Sequence, residues 1–127
     1  MTLTLPSIIF VATAPIDLRL SFDRLAGIVR EQLGADPRRE TLVVFHNRRR
    51  THLKLLWHDG RGYCILYRRL DRGTYRIPLQ IPKDARSVTV SAGELSLLLE
   101  GIDRELLQRA KRQLKSARQP FAASAAE

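Results

Sequence analysis

The sequence contains one cysteine, one tryptophan and one methionine in 127 residues, and no apolar run near the roughly 18 residues a membrane-spanning helix needs. The lone Cys64 excludes an intramolecular disulfide and a cysteine-rich zinc site, and fits a reducing compartment. The opening MTLTLPSIIFVATAP lacks the basic start of a secretory signal, so a soluble, cytoplasmic protein with no membrane partner is expected. No G-x-S-x-G elbow and no P-loop occurs, and Cys64 sits between Tyr63 and Ile65 in an apolar run, the setting of an inert packed thiol.

The three histidines do not rescue a metal reading. His52 and His58 lie six residues apart on one expected strand, hence about 20 Å apart. His46 and His52 flank one turn but have no nearby cysteine or carboxylate pair to complete a site. Asp17, Asp23, Asp59, Asp71 and Asp103 are read as capping or turn residues rather than two-metal nuclease ligands. No cofactor or metal is expected, and no acid, base and nucleophile set points to an enzyme.

What the chain has in excess is positive charge: 22 Lys and Arg against 13 Asp and Glu, a formal +9. Residues 1–37 carry three arginines and four acids, net −1, and residues 77–127 carry eight bases and six acids, net +2. Residues 38–76 hold eleven bases against Glu40, Asp59 and Asp71, net +8, and ten of the eleven are arginine. The planar guanidinium matches phosphate and base edges better than the ammonium of lysine, so the composition suggests a polyanionic partner. With 44% apolar residues the chain can still bury a true core.

Periodicity places this charge on a scaffold. Ile8–Ala12 has the character of a strand. Phe22, Leu25, Val29 and Leu33 recur at helical spacing between Ser21 and Gly34, predicting a core-packing helix over about 22–33. TLVVFH, HLKLLWH, YCILYRR and TYRI then alternate with short turns at Asn47–Thr51, Asp59–Gly62 and Leu70–Gly73. This predicts a four-stranded antiparallel β-meander over about 41–78. Strand alternation sets Leu53, Leu55 and Trp57 on a greasier face than His52, Lys54, Leu56 and His58, so Trp57 is expected to be buried. Pro78 and Pro82 bracket a segment with little regular signal. Ser91-x-x-Glu94 is a capping box opening a helix over about 91–100, Gly101 interrupts it, and Asp103 starts another over about 103–117. The expected fold is therefore α+β, one domain over 1–118 with a fraying tail at 119–127.

Connectivity then concentrates the charge. In a meander the first and third turns share one end of the sheet, so Arg48, Arg49, Arg50, Arg69 and Arg72 should form a basic rim. With strands about 4.8 Å apart the two turns lie roughly 10–14 Å from each other, a span several duplex phosphates cover.

Three ordered motifs resemble a known family, the short accessory protein called TnpB or Orf2 of bacterial insertion sequences of the IS-sixty-six type. IDLRLSFDRL, with Asp17, Arg19, Phe22, Asp23 and Leu25, is similar to D-x-R-x-x-F-D-x-L. VVFHNRRRTHLKLLWHDGRGYCILYRRLDRGTYRIP is similar to F-x-x-R-R-x-x-x-(L/I)-K-x-L-x-(W/H)-D-x-x-G followed by a basic-Leu-acidic-x-Gly turn, and LLLEGID at 97–103 is similar to L-L-x-G-I-D. Ile77 departs from a frequent Trp before Pro78, and the chain beyond Asp103 is longer than in many members. The resemblance implies a non-catalytic protein that assists a separate, larger transposase, with that transposase and a second accessory protein of the element as partners.

Charge map and resemblance together lead to the expectation of DNA binding at element ends through Arg48, Arg49, Arg50, Lys54, Arg69 and Arg72, with Arg19 and Arg76 as further candidates. One alternative is a protein adaptor whose basic surface docks on the transposase without touching DNA. Another is single-strand or RNA binding by Tyr63, Tyr67 or Tyr75 on the sheet.

Overall fold

β1 (Ile8–Ala12) feeds through residues 13–21 into α1 (Phe22–Glu31), and the chain returns as β2 (Thr41–His46). The intervening helix makes the connection long enough for β2 to lie parallel to β1, with Ile8 opposite Thr41 and Val11 opposite Val44. β3 (His52–His58) and β4 (Tyr63–Arg69) follow as antiparallel hairpins, His46 opposite Leu53 and His52 opposite Arg69. β5 (Ser87–Val90) pairs antiparallel with β1, which gives the order β4-β3-β2-β1-β5. α2 (Ala92–Glu100) comes next, and residues 108–114 form a further helix, α3. This computed structural model describes residues 5–77, 84–102 and 108–114. Within them no helix is long and apolar enough to cross a membrane.

The architecture is α+β, but the expected four-stranded antiparallel meander over 41–78 is corrected to a five-stranded mixed sheet. Of the four expected runs the first three are strands as read; the fourth, TYRI, is not. There only Thr74 makes a bridge, to Ile102, and Tyr75 and Ile77 turn into the core. β1 and β5 supply the remaining strands, β5 from a four-residue segment whose pairing partner lies far away in sequence. The capping box is present as read: Ser91 Oγ accepts from Glu94 N–H at 3.1 Å, and Glu94 Oε1 accepts from Ser91 N–H at 3.1 Å. Of the helix expected over 103–117, residues 108–114 are helical, and the rest, like the tail at 119–127, lies outside the described residues.

Both faces of the sheet are covered at its centre, which is why β2 is buried from Leu42 to His46 rather than in alternation. One face holds Val43, Phe45 and Leu56 under Leu25, Ala26 and Val29 of α1. The other holds Val11, Leu42, Val44, Leu53, Leu55 and Trp57 under Tyr75, Ile77 and Leu95 and Leu98 of α2. Trp57 is buried as expected, and Cys64 packs half-buried against the same cluster, its thiol pushed up by burial.

A short strap ties the second layer to the sheet. After β4 the chain turns at Gly73 (φ +77°) and crosses back, so that Tyr75 N–H donates to Arg50 O at 2.7 Å. Thr74 and Ile102 exchange both backbone hydrogen bonds, at 2.9 and 2.7 Å, which fastens the end of α2 to the strap. Arg68 completes the clasp by donating to Leu99 O at the C-terminal end of α2, where a cation is favoured, while its guanidinium lies 5.8 Å from the Tyr75 ring centroid. Gly101 makes this docking possible: at φ +71° and ψ −177° it occupies backbone space nearly reserved for glycine, and a Cβ there would lie 2.7 Å from Leu70 Cδ1 and 3.0 Å from Thr74 O.

His46 is the buried polar group at the end of β2. Its Nε2 lies 3.0 Å from Ala12 O and its Nδ1 3.2 Å from Asn47 O. Burial lowers its pKa from 6.5, against the raising effect of those two carbonyls and with a smaller lowering from Arg50.

Two outcomes follow from these contacts. Gly101→Ala should destabilise the fold by about 1–3 kcal/mol, read as a lower urea midpoint at unchanged slope; an unchanged midpoint would show that the strap tolerates a side chain. Because the folded pKa of His46 is depressed, the unfolded chain binds the proton first, and stability present above pH 6.5 is lost as pH falls below it. Thermal melts of the wild type and His46→Gln between pH 7.5 and 5 should show the steeper acid loss in the wild type. Parallel profiles would remove His46 as the cause.

Candidate nucleic-acid interface

The antiparallel register brings the first and third turns to one end of the sheet. Leu70 N–H donates to Thr51 O at 3.0 Å, and the strap sets Tyr75 against Arg50. Asn47 shapes the first turn, its Oδ1 accepting from the N–H groups of Thr51 at 2.9 Å and His52 at 3.1 Å, so Arg48, Arg49 and Arg50 are presented outward on a fixed loop. Arg50 has a left-handed backbone, φ +60°, which asparagine or glycine would adopt at lower cost.

Arg48, Arg49, Arg50, Arg69, Arg72 and Arg76 are all exposed and lie at this end or on the strap beside it. None of the six has an ion-pair partner among the described residues, and the one acid within these turns is Asp71. The opposite end is balanced. There Arg38, Arg39 and Arg61 share the loops with Asp36, Glu40 and Asp59; Arg39 pairs with Asp36 at 3.5 Å, and Asp59 closes its turn by accepting from Arg61 and Gly62 N–H. The sheet is thus electrically polar along its strands.

Two expected contacts sit differently from the rest. Lys54 is 8% exposed in mid-strand on the α1 face, its Nζ donating to Leu20 O at 2.8 Å and lying 5.0 Å from the Tyr67 ring centroid. As placed, its ammonium is turned away from any rim ligand, because α1 and the chain before it cover the face that strand alternation marked as polar. Arg19 is 92% exposed on the segment crossing the basic end, but Asp17 holds it in a bidentate pair, Nε donating to Oδ1 at 3.0 Å and Nη2 to Oδ2 at 2.8 Å. The hydrogen bonds from Arg19 bring the Asp17 carboxyl down to about 2. Arg19 therefore brings a neutral pair to this end rather than an uncommitted charge.

Sequence reasoning missed Arg86, whose exposed position before β5 also faces this end, because β5 was not anticipated. It also left the tyrosines undivided. Tyr75 is buried, Tyr63 half-buried, and Tyr67 is 57% exposed beside His52, ring centroids 5.9 Å apart. A shallow hollow of about 250 Å³ is bounded there by His52, Tyr67 and Arg69. Among the described residues no three His, Cys, Asp or Glu side chains converge as metal ligands do.

The chain is similar to known proteins. Two relatives from Sinorhizobium fredii, the uncharacterized proteins y4hO and y4jC, are 38% and 33% identical to the chain over 95 residues, covering 75% of it and 80% and 79% of their own lengths. No solved structure matches. The family described as IS66 Orf2 like protein matches residues 7–109, a span containing the sheet, the strap and the basic end, and the chain belongs to this transposition-associated accessory family.

Proposed function

We propose that the protein is a non-catalytic accessory factor of insertion-sequence transposition that holds DNA at its basic end and so assists a separate transposase. The observation that carries this reading is the segregation of charge: six exposed arginines without carboxylate partners among the described residues, at one end of a sheet whose other end is neutralised. Guanidinium groups gathered without counter-charges repel one another, and a polyanion relieves that repulsion while releasing its own counterions. The left-handed Arg50 supports the same reading, since a cheaper residue for that turn would lack the charge. Contacts of this kind give affinity and register rather than sequence choice, which leaves target selection to the transposase or to a few base-edge contacts.

With about five phosphates engaged, log K should fall against log salt with a slope near −4 to −5 on B-DNA. Arg48, Arg49 and Arg50 changed together to Glu should weaken binding to all duplexes alike while leaving the thermal midpoint within a few degrees of wild type. Absence of a complex at low salt, or a salt-insensitive one, would overturn DNA binding. Nuclease-resistant co-purification with the transposase, abolished by the same triple substitution, would instead make this surface a protein dock.

A further inference from the structure

The hollow beside Tyr67 joins two aromatic rings to an exposed arginine. Tyr67 extends from β4 on the α1 face, directly across from Lys54. The Lys54 ammonium lies against the ring at 5.0 Å, so the aromatic plane is polarised from beneath while more than half of the residue stays open to solvent. Within the ion pairs of the described residues Lys54 has no carboxylate partner, and its amine is held by the Leu20 carbonyl. His52 forms a second, tilted aromatic wall, its Nδ1 fixed within 2.8 Å of Thr51 Oγ1 and 3.2 Å of Asn47 Nδ2, the same asparagine that shapes the arginine turn. Arg69 forms the third side, opposite His52 in the strand register.

At about 250 Å³ the hollow is smaller than the roughly 300–1,000 Å³ that holds a drug-sized ligand, and it is open along one side, as a surface for a single planar ring would be. Its two aromatic walls and its cations match a base with its phosphate. Inside a duplex both π-faces of each base are covered by neighbours, so away from a duplex end an aromatic shelf of this kind is satisfied only by a base outside the stack.

We infer that His52, Tyr67 and Arg69 form a subsite for one unpaired DNA base, stacked on Tyr67 with its phosphate on Arg69, next to a rim that holds the adjoining duplex. The preferred ligand is then a junction between double-stranded and single-stranded DNA. The inference rests on the DNA-binding reading given above and specifies the ligand of the same end of the sheet.

The test compares fluorescently labelled blunt duplex, the same duplex with a short single-stranded overhang, and the overhang strand alone, each against wild type, Tyr67→Ala, Tyr67→Phe and the Arg48, Arg49 and Arg50 triple Glu variant. Wild type should bind the overhang duplex about tenfold or more tighter than the blunt one. Tyr67→Ala should abolish that preference with blunt affinity unchanged, and Tyr67→Phe, which keeps the ring, should retain it. Photocrosslinking from 5-iodouracil in the overhang should mark Tyr67. Equal affinity of wild type for blunt and overhang duplexes, or an overhang preference that survives Tyr67→Ala, would overturn the subsite while leaving rim binding intact. Loss of all duplex binding in wild type would overturn the rim and the junction with it.

Discussion

The hydrogen bond from Tyr75 N–H to Arg50 O is the contact on which the basic end depends. It joins the turn after β2 to the chain leaving β4, and it sets Tyr75, one of the largest fully buried side chains, beneath β3. From the same strap Thr74 fastens Ile102 and hence the end of α2. Rim geometry and core packing are therefore one problem: Tyr75 cannot reach its place unless the strap crosses beside Arg50, and that crossing holds the two arginine-bearing turns together. The glycines at 73 and 101 are the conformational conditions for it, both at positive φ. LDRG and LLLEGI lie far apart in sequence yet meet in this single clasp, and Gly101 leaves room for Leu70.

The parts of the fold legible in the sequence were those decided locally. Hairpins β2–β3 and β3–β4 announce themselves by apolar runs of strand length and by turns whose Asn47, Asp59 and Gly60 act within a few residues. The Ser91 box is equally local, since donor and acceptor are three residues apart. β5 and the strap escaped for the opposite reason. Ser87–Val90 is short, and what makes it a strand is β1, more than seventy residues earlier. TYRI alternates as a strand does, but its inward Tyr75 and Ile77 face a core built from α2 and β3 rather than a neighbouring strand. The burial of Lys54 was not legible because alternation says which face a residue joins, not whether that face is covered. The unbroken apolar run LVVF in β2 carried the missing information, as a strand with both faces covered has no polar side.

Charge placement shows the same division between local and distant causes. Arg39 and Arg61 meet carboxylate-bearing loops designed by nearby sequence, Arg39 pairing with Asp36 three residues away and Asp59 bonding the backbone of Arg61. At the other end the nearest comparable pair, Asp17 with Arg19, is closed upon itself, and among the described residues none of the six arginines is in an ion pair. Between exposed charges in water each such repulsion is small, on the order of 1 kcal/mol or less at 4 Å and screened further by salt. A fold of ordinary stability carries that cost without difficulty, so the polarity persists in the free protein.

An electrostatic rim and an aromatic shelf would perform different tasks in one complex. Phosphate contacts are indifferent to base sequence and nearly indifferent to whether the strands are paired, so the rim alone would hold the protein anywhere on DNA. Stacking is also indifferent to sequence, because every base offers a π-face, but it is strict about pairing. Together they would select a structure in the DNA rather than a site: a place where a strand leaves the duplex. An accessory protein of that kind needs no sequence code of its own. It would come to act where a transposase has already chosen the sequence and opened the strands, and its six arginines and one exposed tyrosine would hold the product of that opening in place.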